Sequence, residues 1–125
     1  MIRILLAEDD TAMRGHLSRM LERAGHEVCA VDRGTSALPH LQQDDFDLLI
    51  SDIVMPEMDG IELAQHVAQI APETRVMFIT GFAAVTLRAG RVAPEAKVLS
   101  KPFHLRDLVL EVDRMFGKSS ASGLS

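Results

Sequence analysis

Short apolar runs alternate with amphipathic stretches along most of the chain, and this order constrains the fold more than any other feature. The runs 2–7 and 46–51 carry apolar residues on both strand faces, which is typical of buried parallel strands. Between the runs, apolar residues recur at helical spacing, as at Met13, Leu17 and Leu21. The pattern predicts strands at 2–7, 26–31, 46–51, 75–80 and 97–100, and helices at 13–24, 34–43, 60–70, 82–89 and 105–116.

Strands that alternate with helices imply a parallel sheet covered on both faces. Right-handed crossovers then give a doubly wound α/β sandwich of five strands. We predict that the second helix is entered through Thr35 or Ser36, with Pro39 in its first turn, where a missing N–H is best tolerated. The expected domain covers 1–117, and the Gly/Ser-rich segment 118–125 is expected to be a flexible tail.

Composition excludes several classes of protein. The net charge of −5 gives no general attraction for nucleic acid or for an anionic membrane surface. A bilayer span needs about 20 apolar residues, and neither such a run nor a signal peptide is present, so we expect a cytoplasmic protein. The single cysteine, Cys29, excludes an internal disulfide framework. No histidine or basic partner for Cys29 is evident in the sequence, and we expect it to pack as a small apolar residue.

Polar residues follow four of the predicted strands at the points where those strands end. Glu8 and Asp9 follow the first strand, Asp52 follows the third, Thr80 ends the fourth and Lys101 follows the fifth. Because ligands of open α/β sheets bind at the carboxyl ends of the strands, these side chains should share one site.

This set of groups fits phosphoryl chemistry. Carboxylates held close together repel one another, and Mg²⁺ relieves that repulsion. A lysine and a hydroxyl can bind phosphoryl oxygens, while one carboxylate acts as nucleophile and becomes an acyl phosphate. Each residue also has a purely structural interpretation. Glu8-Asp9-Asp10 could cap the first helix, and Asp52 could be a loop residue. The placement of all these residues after strands that end at one edge favours a shared site over these separate interpretations.

The same residues resemble the receiver domains of two-component response regulators. The resemblance rests on Glu8-Asp9-Asp10, on the segment 51–63 (SDIVMPEMDGIEL), on Thr80-Gly81 and on Lys101-Pro102-Phe103. It covers residues 2 to about 116. It implies a flavodoxin- or CheY-like (βα)₅ fold with strand order 2-1-3-4-5.

The resemblance also implies roles for individual residues around a Mg²⁺ ion. Asp52 would be the phospho-acceptor and a metal ligand. Asp9 would ligate the metal directly and Glu8 would do so through a water molecule. The backbone carbonyl of Val54 would complete the protein ligands.

A second set of implied roles concerns the phosphoryl group. Thr80 would swing toward it as the switch residue, Gly81 would be the small neighbour, and Lys101 would pair with it. The Lys101–Pro102 peptide bond is expected to be cis.

The chain departs from the common receiver pattern in two respects. Many receivers carry an aromatic residue where this chain has Val98, so Phe82 is the candidate switch aromatic. The resemblance implies that Val54 and Phe82 occupy the two positions that flank the phosphoryl group in that family, and both residues are apolar. Neither can orient a hydrolytic water by a hydrogen bond, so we predict slow self-dephosphorylation.

The resemblance further implies partners. A histidine kinase or histidine phosphotransferase would be the phosphodonor. We expect no small-molecule substrate beyond phosphodonors, and no binding to nucleic acid or to a membrane. A closer likeness to single-domain receivers of alphaproteobacteria implies a cell-cycle regulator whose unphosphorylated form primes a ClpXP-type protease, through ClpX, its substrates or its adaptors. Two alternatives remain open: a small Mg²⁺-dependent phosphatase with an Asp nucleophile, and an adaptor that ignores phosphate. Such phosphatases typically carry a second Asp where this chain has Val54.

Overall fold

The computed structural model describes residues 1–80, 96–100 and 104–117. Within these ranges, five strands and four helices alternate for most of the chain. Their bounds are β1 (Arg3–Ala7), α1 (Thr11–Arg23), β2 (Glu27–Val31), α2 (Gly34–Gln43), β3 (Leu48–Asp52), α3 (Gly60–Ile70), β4 (Arg75–Thr80), β5 (Lys97–Ser100) and α4 (Leu105–Met115).

The strands form one parallel sheet in the order β2-β1-β3-β4-β5, which confirms the predicted fold class. The register aligns Ala7 with Val31 on one side and with Ser51 on the other, so β1, β2 and β3 end at the same edge. The predicted helix at 82–89 and the predicted tail at 118–125 lie outside the described residues. No helix within the described ranges is long and apolar enough to cross a membrane.

The two faces of the sheet bury separate apolar clusters. Alternation along β1 sends Ile4 and Leu6 to one face and Leu5 and Ala7 to the other, and all four are fully buried. Helices α1 and α4 cover the first face, and α2 and α3 cover the second. The helical contributions are Leu17, Leu21, Leu108 and Val112 to the first cluster and Ala37, Leu41, Leu63 and Val67 to the second.

The predicted bounds of α2, 34–43, are confirmed, but its predicted entry is wrong. The N-cap is Arg33 rather than Thr35 or Ser36, so Pro39 lies inside the helix and not in its first turn. A Cβ at Gly34 would lie 3.0 Å from the carbonyl oxygen of Met58, so the glycine lets the helix start close to the loop before α3. Pro39 has no N–H to donate to the carbonyl of Thr35, and packing of the helix offsets that loss.

A buried carboxylate joins α4 to β5. Glu111 is only 7% exposed, and its side chain accepts from Lys97 Nζ at 2.9 Å and from Arg114 Nη1 at 2.7 Å. The hydrogen bond from Lys97 holds the pKa of Glu111 below its ordinary value, and the charge of Arg114 adds to the effect. The ion pairs therefore favour the folded state only while Glu111 is ionised.

This arrangement predicts a pH-dependent stability. Because the folded-state pKa is depressed, the contribution is complete above the ordinary glutamate value of 4.5 and is lost as the pH falls through the folded value. We expect Glu111→Gln to lower the free energy of unfolding by about 1–2 kcal/mol at neutral pH. Urea unfolding should show that difference shrinking in acid, whereas Glu73→Gln, at an exposed carboxylate, should have little effect. A difference that is independent of pH would contradict this account.

Candidate functional site

Three carboxylates converge at the carboxyl edge of the sheet. Oxygen atoms of Glu8, Asp9 and Asp52 all lie within 4.8 Å of one another. Glu8 is fully buried and Asp52 is 7% exposed, whereas Asp9 is open to solvent. The register explains the convergence: Ala7 pairs with Ser51, so the next residues of both strands emerge side by side. The predicted gathering of these three residues is confirmed.

Backbone and side-chain hydrogen bonds fix Glu8. Its N–H donates to the carbonyl of Val31 at 3.1 Å, and its Oε2 accepts from the N–H of Asp10 at 3.1 Å. Arg14 Nη1 donates to the Glu8 carbonyl oxygen at 2.9 Å and ties the first turn of α1 to the β1–α1 junction. Arg14 was not predicted from the sequence to lie in the site. Its contact with Glu8 joins a helix to a loop, and such a contact produces no periodic pattern in the sequence.

The capping interpretation holds for one acidic residue only. Asp10 is the N-cap of α1, and its Oδ1 accepts from the N–H of Met13 at 2.8 Å. Glu8 and Asp9 instead lie in the carboxylate cluster. The acidic run is therefore divided between helix capping and the site.

Close backbone packing positions Asp52. Gly60, the first residue of α3, donates its N–H to the carbonyl of Ile53 at 2.8 Å. A Cβ at Gly60 would lie 2.3 Å from the Asp52 carbonyl oxygen, so only glycine permits this approach. Ser51 Oγ donates to the same carbonyl oxygen at 2.8 Å, and Asp52 Oδ1 accepts a long bond of 3.4 Å from the N–H of Val54.

Thr80 lies at the same edge as the carboxylates. It is the last residue of β4 and is 1% exposed. Its neighbour Ile79 is aligned with Asp52 across the sheet. The other predicted phosphoryl-binding and switch residues lie outside the described residues: Gly81, Phe82, Lys101 and Pro102.

The structure also places the two valines at which the chain departs from the common receiver pattern, Val54 and Val98. Val98 on β5 is partly buried and packs against a cluster that includes Phe78 and Ile61. Val54, by contrast, is 49% exposed beside the carboxylates. A half-exposed apolar residue thus lies next to Asp52, whose Oδ1 is 3.4 Å from the Val54 nitrogen.

Cys29 has a histidine neighbour that the sequence did not reveal. Its Sγ lies 3.6 Å from Nδ1 of His40, because β2 and α2 pack together. Burial raises the pKa of the Cys29 thiol, and the nearby charge of Asp44 acts in the same direction. The group is therefore a poor nucleophile at neutral pH, as expected for a packing residue.

The donor set suits a hard divalent cation. Magnesium prefers oxygen ligands, and it binds through one or two carboxylates together with waters and phosphate oxygens. Three carboxylates within 4.8 Å supply such ligands, and the burial of Glu8 and Asp52 limits their screening by water. A cation here would offset the repulsion among the carboxylates.

Comparisons with known proteins agree with this geometry. The family model described as "Response regulator receiver domain" matches residues 4–113. The response regulator receiver protein CpdR of Brucella abortus (strain 2308) is 60% identical over 116 residues, which are 92% of this chain and 97% of the relative. The sensor kinase CckA of the same strain is 34% identical over 119 residues, covering 92% of this chain but 12% of the kinase.

A solved structure shows the same fold. The CheY-like response regulator receiver domain protein from Methanospirillum hungatei JF-1 superposes with a TM-score of 0.86 at 26% identity. The match covers 98% of this chain and 99% of that one. The family model spans most of the chain, and relatives of this family are generally signalling proteins. The chain belongs to the response regulator receiver family.

Proposed function

We propose that this protein is a phospho-acceptor that works in a histidine phosphorelay in the cytoplasm. Asp52 accepts the phosphoryl group, and the modification changes which proteins the chain binds. The convergence of Glu8, Asp9 and Asp52 within 4.8 Å is the observation that carries the proposal. A phospho-acceptor needs a carboxylate nucleophile beside other acidic groups that can hold a divalent cation.

The proposed reaction transfers the phosphoryl group from a histidine to Asp52. A carboxylate oxygen of Asp52 forms a bond to phosphorus, the phosphorus–nitrogen bond breaks, and the imidazole leaves with its electron pair. Mg²⁺, when bound, would stabilise the charge on the transferring group. Asp9 would ligate it directly, Glu8 through a water molecule, and Val54 through its backbone carbonyl.

Three further residues are proposed to contact the phosphoryl group. Thr80, buried at the end of β4, would donate its hydroxyl, and Lys101 would pair with the phosphoryl charge. Gly81 would leave room for the movement of Thr80. The buried position of Thr80 at the edge where Asp52 emerges supports its part of the proposal.

The proposed output is control of proteolysis. The 60% identity to CpdR over nearly the whole of both chains supports a CpdR-like cell-cycle role. In that role the unphosphorylated protein would prime a ClpXP-type protease, and phosphorylation would withdraw it. The similarity to part of the sensor kinase CckA supports a donor of the histidine kinase or phosphotransferase class.

Binding to a purified ClpX-type unfoldase tests this function. We expect the unmodified protein to bind, and we expect beryllium trifluoride, a phosphoryl analogue, to weaken binding about 5- to 100-fold in the presence of Mg²⁺. Asp52→Asn should bind with no response to the analogue. Equal binding with and without the analogue would support a phosphate-independent adaptor. Catalytic release of inorganic phosphate from added phosphoesters would support the phosphatase.

A further inference from the structure

The loop between β3 and α3 contains a residue with an unfavourable backbone conformation. Glu57 has a φ of 69°, and it is the one non-glycine residue with positive φ in the described part of the chain. This region is disfavoured for a side chain that carries a Cβ, and glycine enters it freely. Contacts elsewhere must therefore hold Glu57 in place.

Those contacts come from the start of α2. Glu57 Oε1 accepts from Thr35 Oγ1 at 3.3 Å and lies 3.7 Å from Arg33 Nη1. Asp32 orients the arginine, since its Oδ1 accepts from Arg33 Nε at 3.1 Å. The side chain of Glu57 is thus held by two residues from a different βα junction.

A second contact joins the same two segments. Met58 packs directly on Gly34, where a Cβ would lie 3.0 Å from the Met58 carbonyl oxygen and 3.3 Å from its Cβ. Two consecutive loop residues, 57 and 58, therefore rest on the first turn of α2. The loop is therefore held on α2 by backbone packing as well as by an exposed ion pair, which alone would contribute little to stability.

The anchored loop is short and carries the proposed metal ligand. Glu57 stands three residues after Val54, and the N–H of Met58 donates to the carbonyl of Pro56 at 2.8 Å. We propose that Arg33 and Thr35 are positioning residues that act through Glu57, limit the conformations open to the Val54 carbonyl and so raise Mg²⁺ affinity. The inference rests on the proposed function, because it needs the metal to bind at this site.

Glu57→Gly separates this role from a merely structural one. Glycine relieves the unfavourable φ, so stability in EDTA, followed by urea unfolding, should stay equal or rise. The same variant loses the contacts to Arg33 and Thr35, so its Mg²⁺ dissociation constant should increase about two- to five-fold. Amide NMR shifts recorded during titration with Mg²⁺ alone measure that constant. If Glu57 were only structural, its replacement would not weaken Mg²⁺ binding while leaving the free energy of unfolding unchanged.

Variants of the two partners complete the test. Arg33→Met and Thr35→Val should weaken Mg²⁺ binding, whereas Arg33→Lys and Thr35→Ser, which keep the charge and the hydroxyl, should restore most of it. Arg33→Met combined with Glu57→Gln should be less damaging than the sum of the two single changes. Glu62→Gln removes an exposed carboxylate in the first turn of α3 and should leave the affinity unchanged.

The outcomes distinguish this inference from the proposed function. Wild-type affinity in Glu57→Gly would overturn the positioning role, while phosphorylation of the wild type would leave the function standing. If Glu57→Gly lowered the stability of the fold together with the Mg²⁺ affinity, the positioning role would also be overturned, because Glu57 would then be structural. A wild-type protein that binds no Mg²⁺ would overturn both.

Discussion

Asp52→Asn is expected to abolish phosphoryl uptake from acetyl phosphate. The amide has nearly the shape of the carboxylate, so the site should keep its packing, but it is too weak a nucleophile to form an acyl phosphate. Asp52 is 7% exposed and lies with Glu8 and Asp9 inside the 4.8 Å cluster, so its change to Asn also tests whether one of these neighbouring carboxylates can accept the phosphoryl group in its place. Intact-mass measurement in Mg²⁺ should show one added phosphoryl group in the wild type and none in the variant.

Asp45→Asn is the matched control for that experiment. Asp45 is an exposed aspartate that precedes β3, at the opposite edge of the sheet from Asp52. Its loss changes the net charge by the same amount and should leave phosphoryl uptake at the wild-type level. Full uptake by Asp52→Asn would mean that another residue is the acceptor.

Gly60→Ala should give the largest loss of stability among conservative changes near the site. The new methyl group would meet the Asp52 carbonyl oxygen at 2.3 Å and the Cα of Ile53 at 3.0 Å. Both are backbone atoms and cannot turn aside as the end of a flexible side chain can. We expect the free energy of unfolding to fall by about 2–4 kcal/mol. Urea unfolding measures the fall, and phosphoryl uptake should decline because the backbone of Asp52 must shift.

Gly15→Ala provides the comparison for that variant. Gly15 lies inside α1, and the nearest atom to its added Cβ is the end of the Arg19 side chain at 3.4 Å. Alanine is the better helix former, so this change should raise stability by about 0.5–1 kcal/mol. Similar losses in both variants would show that the contact with Asp52 is not what makes Gly60→Ala costly.

The positions of the strands along the chain were predictable because each strand leaves a local signal, whereas the spatial order 2-1-3-4-5 came from the resemblance to receiver domains. Runs such as Leu48-Leu49-Ile50 are apolar on both faces, and that property marks a strand buried between two helical layers. The bounds of α2 were also predicted, but its N-cap was not. The cap at Arg33 places Gly34 in the first turn of the helix, where it lies close to Met58, a residue far along the chain.

The carboxylate cluster was predictable for a topological reason. Adjacent parallel strands end at one edge, so Glu8, Asp9 and Asp52 had to come together once the strands were placed correctly. The sequence could not assign Asp10 to the cap of α1, because capping and metal binding favour the same residue types at that point.

Contacts between distant elements account for what the sequence missed. Arg14 on the Glu8 carbonyl, Thr35 on Glu57 and His40 beside Cys29 each join elements whose separation has no fixed period. Hydrophobic periodicity reports the buried face of a helix or strand, but it carries no information on such polar pairs. These pairs become visible only when the folded backbone is known.

Chemical mapping of the phosphorylated residue tests the central claim most directly. The wild-type protein would be treated with acetyl phosphate in Mg²⁺ and reduced with borohydride, which converts an aspartyl phosphate to homoserine, and its peptides would be sequenced by mass spectrometry. The account predicts homoserine at position 52 alone, and none when EDTA replaces Mg²⁺. Homoserine at position 9 or at any other aspartate, or modification at position 52 that persists in EDTA, would contradict it.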